Sequence, residues 1–273
     1  MSKSSNKDWI IRTPTQSKME RIEAFFLNHA YEPHRHDTFA IGQTLSGVQS
    51  FHYCGAMQHS LPHMTMVIHP DEKHDGESGS IDGFRYKMVY VEPALIQKIL
   101  GGKPLPFIKN GISHDIRLFQ AAKNLIQSED LLEEEDALYD FAVVLNEVAG
   151  AKNQTNGSYD YLAAEQAREF IHASLDQNIS LEDIEKNIGR DRWNLSRDFR
   201  LLFGTSPHRY LIMRRLDVVK SCLIFGESIT QAAMIAGFYD QSHMTKHFTK
   251  TFGLTPARWK QIHSKKHLNR LLK

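Results

Sequence analysis

Cysteine is scarce in this chain of 273 residues: Cys54 and Cys222 are far apart in sequence, which excludes a disulfide framework or a cysteine-rich metal site and leaves two free thiols. Long apolar runs are also missing. Stretches such as Phe141 to Leu145 fall far short of the roughly 20 residues that cross a bilayer, and the polar start, Met1 to Lys7, lacks the apolar core of a secretory signal. No membrane partner and a cytoplasmic location are expected. An overall charge excess is absent too, at net +1.

That near-neutral total conceals a split. Residues 179 to 273 hold 17 Lys/Arg against 8 Asp/Glu, a balance of +9, and residues 1 to 178 therefore carry −8. A basic part joined to an acidic one suggests that only the former meets a polyanion; a helical domain with a merely basic surface is the alternative.

Residues 22 to 91 are rich in β-branched and aromatic residues, broken by turn formers at Glu32-Pro33, Ser46-Gly47, Cys54-Gly55, His69-Pro70-Asp71 and Asp82-Gly83. Short strands so spaced predict an antiparallel sandwich or barrel. Phe84 to Tyr90 alternates apolar and charged residues as a half-buried strand does. From Pro93 the period becomes helical, with candidates at Ala94 to Leu100, His114 to Ser128 and Leu131 to Val148. Ala149 to Ser158 is small, polar and aperiodic, the mark of a linker. The expected class is α+β: a first domain at 1–150, a linker at 151–159, and an all-α domain at 160–273.

The last third contains a repeat of about 50 residues. Leu181 to Ile188, capped by Ser180 ahead of Asp183, ends at Gly189; Ile229 to Ala236 ends at Gly237, where a left-handed residue is needed. After the turn, Asp191-Arg-Trp-Asn-Leu-Ser-Arg-Asp-Phe199 aligns with Asp240-Gln-Ser-His-Met-Thr-Lys-His-Phe248. Leu195/Phe199 and Met244/Phe248 stand at i, i+4 toward the core, and the polar positions between them are expected outside. Phe203-Gly204 and Phe252-Gly253 close the helices, and Pro207 and Pro256 open the next ones.

A helix in the major groove needs hydrogen-bonding side chains on its exposed N-terminal half and Lys or Arg further along for phosphates. Arg192, Ser196, Arg197 and Arg200 fit in the first unit; Gln241, Ser242, His243, Thr245, Lys246 and Lys250 fit in the second. Trp193 either packs on sugar or a thymine methyl, or serves a core or domain contact. Between the units, Pro207 to Phe225 reads as one helix of about 28 Å with a basic middle (Arg209, Arg214, Arg215, Lys220). That length suits two recognition helices near the 34 Å spacing of successive major grooves.

On these residues, 160 to 263 resembles the DNA-binding domain of the AraC family of transcription regulators, most specifically over Ile229 to Pro256. Glu185 departs from the pattern, where a small residue usually stands at the helix crossing. Residues 30 to 92, chiefly Pro33-His-Arg-His-Asp-Thr-Phe-Ala-Ile-Gly42 and His69-Pro-Asp-Glu-Lys-His-Asp-Gly76, resemble the cupin-like sensor domain that precedes many such modules. The resemblance implies a cupin-like β-barrel followed by helices, then two helix-turn-helix units joined by a long helix. It further implies double-stranded DNA and a small-molecule effector as partners, RNA polymerase contact, homodimers, and activation as the mode of action.

Metal-binding cupins add a carboxylate to such histidines, yet Thr38 to Ile41 contains no Glu. His34, His36 and His74 are therefore expected to line an effector pocket with Phe39, Tyr53 and Tyr86 rather than to hold an ion, and no cofactor is expected. Two other readings compete with a ligand-responsive regulator. One is a metal-dependent cupin enzyme fused to a DNA-binding module, with a divalent ion at those histidines. The other is a helical protein-interaction bundle, which would show no salt-dependent duplex binding.

Overall fold

The structure, a computed structural model, describes residues 8–12, 19–151 and 158–263. Most of the expected linker, residues 152–157, lies outside the described residues. The chain forms two compact units, one built on residues 1–157 and 201–204 and the other on 158–200 and 205–273. No described helix is long and apolar enough to cross a membrane.

The first unit begins with strands β1 (Trp9–Arg12), β2 (Glu20–Phe26), β3 (His29–His34), β4 (Phe39–Ser46), β5 (Gln49–Tyr53), β6 (Ala56–Ser60), β7 (Thr65–Ile68), β8 (His74–Ser78) and β9 (Phe84–Val91). Then come α1 (Pro93–Leu100), β10 (Pro106–Phe107), β11 (Ile112–Ser113), α2 (Ile116–Gln127), α3 (Leu131–Val148) and β12 (Gly150–Ala151). Two large antiparallel sheets result, of order β1-β2-β9-β4-β7-β11 and β3-β8-β5-β6, and β10 pairs with β12 in a small third one.

Side-chain alternation sorts the strands of the larger sheet into two cores. Ala40, Met66, Ile68, Phe84, Tyr86 and Met88 meet Phe51 and Tyr53 of the smaller sheet. Their chain neighbours Phe39, Ile41, Val67, Val89 and Val91 pack against Leu118, Leu125, Leu138 and Phe141 of α2 and α3. The layers are thus sheet, sheet, helices. Buried Arg21 ties the second junction, giving Nη2 to the Leu125 carbonyl at 3.1 Å and pairing with Glu134 at 2.6 Å.

The second unit comprises α4 (Tyr161–Ala173), α5 (Leu181–Ile188), α6 (Arg192–Phe203), α7 (Pro207–Ile224), α8 (Ile229–Ile235), α9 (Gln241–Phe252) and α10 (Pro256–His263). The repeat is visible in its caps. α5 and α8 both open with a capping box, Ser180/Asp183 and Ser228/Gln231. Gly189 and Gly237, at φ 74° and 77°, adopt the left-handed conformation expected of them.

The basic middle of α7 is structural. Arg215 is buried and donates Nε to the Leu175 carbonyl at 2.8 Å and Nη2 to that of Gln177 at 2.6 Å. Arg214 and Lys220 both pair with Asp217, at 3.1 and 2.7 Å.

Candidate functional site

The helix that follows each glycine turn starts on an aspartate. Asp191 Oδ1 accepts from the amides of Trp193 and Asn194 at 3.1 and 3.0 Å, and Asp240 Oδ1 from that of His243 at 2.6 Å. These carboxylates satisfy otherwise orphaned N–H groups, so they set where α6 and α9 begin.

Downstream, angular position on the helix decides what is presented. Leu195, Phe199, Met244 and Phe248 are buried, at 1% exposure or less. At about 100° per residue, Arg197 and Lys246 stand opposite those stripes, and both are exposed. The intermediate positions lie on the flanks. Ser196, expected outside, is buried at 8% exposure, its Oγ accepting from Arg200 Nη1 at 2.7 Å. Asp198 is fully buried; it pairs with Arg190 and, at 3.0 Å, with Arg197, and accepts from the Asp160 amide at 3.0 Å. The outward expectation for Ser196 and Asp198 is therefore corrected, because the stripe of α6 is wide enough to cover both flanks. On α9, Thr245 and His247 are half-buried.

The remaining expected contacts are exposed: Arg192, Trp193 and Arg200 on α6, and Gln241, Ser242, His243 and Lys250 on α9. Trp193 is 72% exposed beneath the Arg192 guanidinium, 5.5 Å from its ring centre. Glu185, the departure from the family pattern, is half-buried 4.0 Å from Arg192. Gln241 accepts from Thr230 Oγ1 at 2.6 Å, which fixes its amide at the start of α9. Sequence reasoning missed Tyr239, 94% exposed directly ahead of the α9 cap; an aromatic beside a turn glycine was the available signal. His247 is pushed down to about 4, first by burial and then by His243, His208, Lys250 and Arg209.

In the first unit a small cavity of about 30 Å³ lies between the sheets, lined among others by Tyr31, His34, Gln49, His74, Tyr86 and Tyr90. That is room for water rather than a large molecule. His34 and His74 sit directly opposite one another on β3 and β8. His36 lies beyond the end of β3, yet its ring centre is 4.7 Å from that of His74 and 5.5 Å from that of Tyr90. Burial holds the imidazoles of His34 and His74 below their ordinary range, His74 further because His36 and His34 adjoin it. The Tyr86 phenol is raised by burial and bonds Tyr31 Oη at 2.8 Å.

Three expected pocket residues, His36, Phe39 and Tyr53, do not line this cavity, His36 packing its ring against those of His74 and Tyr90 instead. Phe39 points to the opposite face of β4 from Ala40, into the helix-packed core, and lies 5.0 Å from His69. Tyr53 is stacked on Phe107, with its Oη accepting from the His69 amide at 3.3 Å. Tyr31, Gln49, Met88 and Tyr90 take part instead; Met88 and Tyr90 share the face of Tyr86 by simple alternation, whereas Tyr31 and Gln49 depend on strand pairing.

Residues 17–142 match the family model for an AraC-like ligand binding domain, and residues 185–262 that for a helix-turn-helix domain. The chain is 27% identical to YbfI, an uncharacterized HTH-type transcriptional regulator of Bacillus subtilis, over 232 residues, covering 77% of this chain and 80% of YbfI. It is 30% identical to PqrA, a probable transcription factor of Proteus vulgaris, over 95 residues, covering 34% of this chain and 78% of PqrA. Among solved structures it is similar in fold to ToxT of Vibrio cholerae with a bound unsaturated fatty acid, at TM-score 0.61 and 14% identity over 95% of this chain and 97% of that one.

Proposed function

The chain belongs to the AraC family of transcription regulators, and from that premise we propose that α6 and α9 read double-stranded DNA under the control of an effector held between the two sheets. The relatives it matches are regulators of transcription rather than enzymes. One observation carries the reading: two helices with the same aspartate start and the same Phe-Gly end present Arg197 and Lys246 at the same helical angle. Arg192, Trp193, Gln241, Ser242 and His243 surround them on the base-reading half. Arg200 and Lys250 lie further along, where phosphates are met. Ser196 acts by holding Arg200, and Thr245 contributes from the flank.

α7, about 27 Å long, joins the two helix-turn-helix repeats. One chain then addresses two adjacent major-groove segments. His34, His74, Tyr86, Tyr31 and Tyr90 are the effector-facing set, which an effector larger than water reaches by widening the cavity, and the fatty acid bound to ToxT, a neighbour in fold, supports a small molecule as the effector. Binding there shifts the balance between conformations with different DNA affinity. Activation through RNA polymerase, homodimer formation and a cytoplasmic setting belong to the same reading. Electrophoretic mobility shifts on genomic duplexes test it: affinity that falls steeply with salt and differs between sequences supports groove reading, and weak, salt-insensitive binding refutes it.

A further inference from the structure

We propose that His34, His36 and His74 together bind one divalent transition-metal cation of the zinc class. The three residues offer nitrogen atoms that all lie within 4.8 Å of one another. The hydrogen bonds on the far side of each ring show which nitrogens these are. His34 Nδ1 lies 2.8 Å from the Glu32 carbonyl, His36 Nδ1 2.8 Å from that of Thr38, and His74 Nδ1 2.9 Å from that of Glu72. A carbonyl oxygen only accepts, so in every case Nδ1 carries the proton and donates it. Each neutral ring then presents an Nε2 lone pair.

Three acceptors brought together repel one another, and they cannot hold a carboxylate or phosphate, which needs donors. A transition-metal ion satisfies all three at once. The same backbone bonds fix ring orientation and raise ligand basicity, as the outer partners of metal-bound histidine do. Tetrahedral coordination at 2.0–2.1 Å sets neighbouring nitrogens about 3.4 Å apart, so each ring moves inward by no more than about 1 Å.

Three neutral ligands leave the ion its full charge and a fourth position. Asp75 does not fill it, because Oδ1 accepts from the His52 amide at 2.7 Å and Oδ2 lies 2.8 Å from His52 Nδ1. Since His34 and His74 line the cavity, that position is left for water or an oxygen atom of an effector. The proposal does not rest on DNA reading: ion binding is measured directly, and its failure leaves α6 and α9 untouched.

The test uses the untagged full chain, stripped with a chelator and titrated with Co²⁺, then with competing Zn²⁺. One equivalent of Co²⁺ in the micromolar range, with visible ligand-field bands that Zn²⁺ abolishes, is the expected result. His36→Gln and His74→Gln should each weaken binding at least about 10- to 100-fold, while His59→Gln, on an exposed strand position, leaves it unchanged. Circular dichroism establishes folding, and if His74→Gln unfolds, the half-buried His36 carries the comparison. Absence of stoichiometric binding by the parent, or equal affinity in His36→Gln and His59→Gln, overturns the proposal.

Discussion

Arg190 closes on the carboxylate of Asp198, a side chain with no solvent exposure in the middle of α6. The same carboxylate holds Arg197 and the Asp160 amide, so one buried charge ties the turn before the helix, the start of α4 and the outermost arginine of α6 together. Such a group is tolerated only while its partners remain.

Asp198→Asn is therefore expected to destabilise the protein by about 3 kcal/mol, because Arg190 and Arg197 both lose the buried carboxylate and Arg190 keeps only Asp160, at 3.7 Å. Urea unfolding of parent and variant checks this. The Arg190→Leu/Asp198→Leu double variant should cost less than the sum of the single changes.

Trp193 is the exposed tryptophan of the second unit, Trp259 being buried at 5% exposure. If α6 enters a groove, duplex DNA should change the intrinsic fluorescence, and Trp193→Phe should abolish most of that change. A full response in the variant would remove Trp193 from the interface.

His247 introduces a pH dependence. Its folded pKa of about 4 lies below the ordinary histidine value near 6.5, so between those limits the unfolded chain binds a proton that the folded chain refuses. Stability should thus fall as pH drops from about 6.5 toward 4. His247→Gln should flatten that part of the profile in thermal melts, and an unchanged slope would contradict the assignment.

Lys250 and Arg200 separate by their present partners. Lys250→Ala should weaken all sequences alike and reduce the salt slope by about 1. Arg200 donates to the Ser196 carbonyl and Oγ at 3.0 and 2.7 Å, so Arg200→Ala should change the slope less and stability more.

Much of the helical unit was legible in the residues. Ser180, Gly189, Gly237, Phe203-Gly204 and Pro207 act locally, through caps, left-handed turns and a fixed φ, and the chain displays such signals directly. Ser196 and Asp198 were not legible. A polar residue beside an apolar stripe reads as exposed until the neighbouring segment that covers it, here around Asp160 and Arg190, is known. Phe39 failed for a related reason: strand alternation gives parity, but which parity faces the second sheet is decided by the helices packed on the other side. Tyr31 and Gln49 reach the cavity through β3-β8-β5 pairing, which sequence spacing does not encode.

The most direct test follows genome-wide recovery of bound DNA and definition of a cognate promoter. Arg197→Ala and Lys246→Ala are measured against every single-base variant of that site. Each should lose about 1 to 3 kcal/mol and relax preference at one base position, and the two positions should lie about one helical turn, 10 to 10.5 base pairs, apart. Parent-like binding by both variants, or loss of preference at one shared position, would contradict two groove-reading helices on one chain.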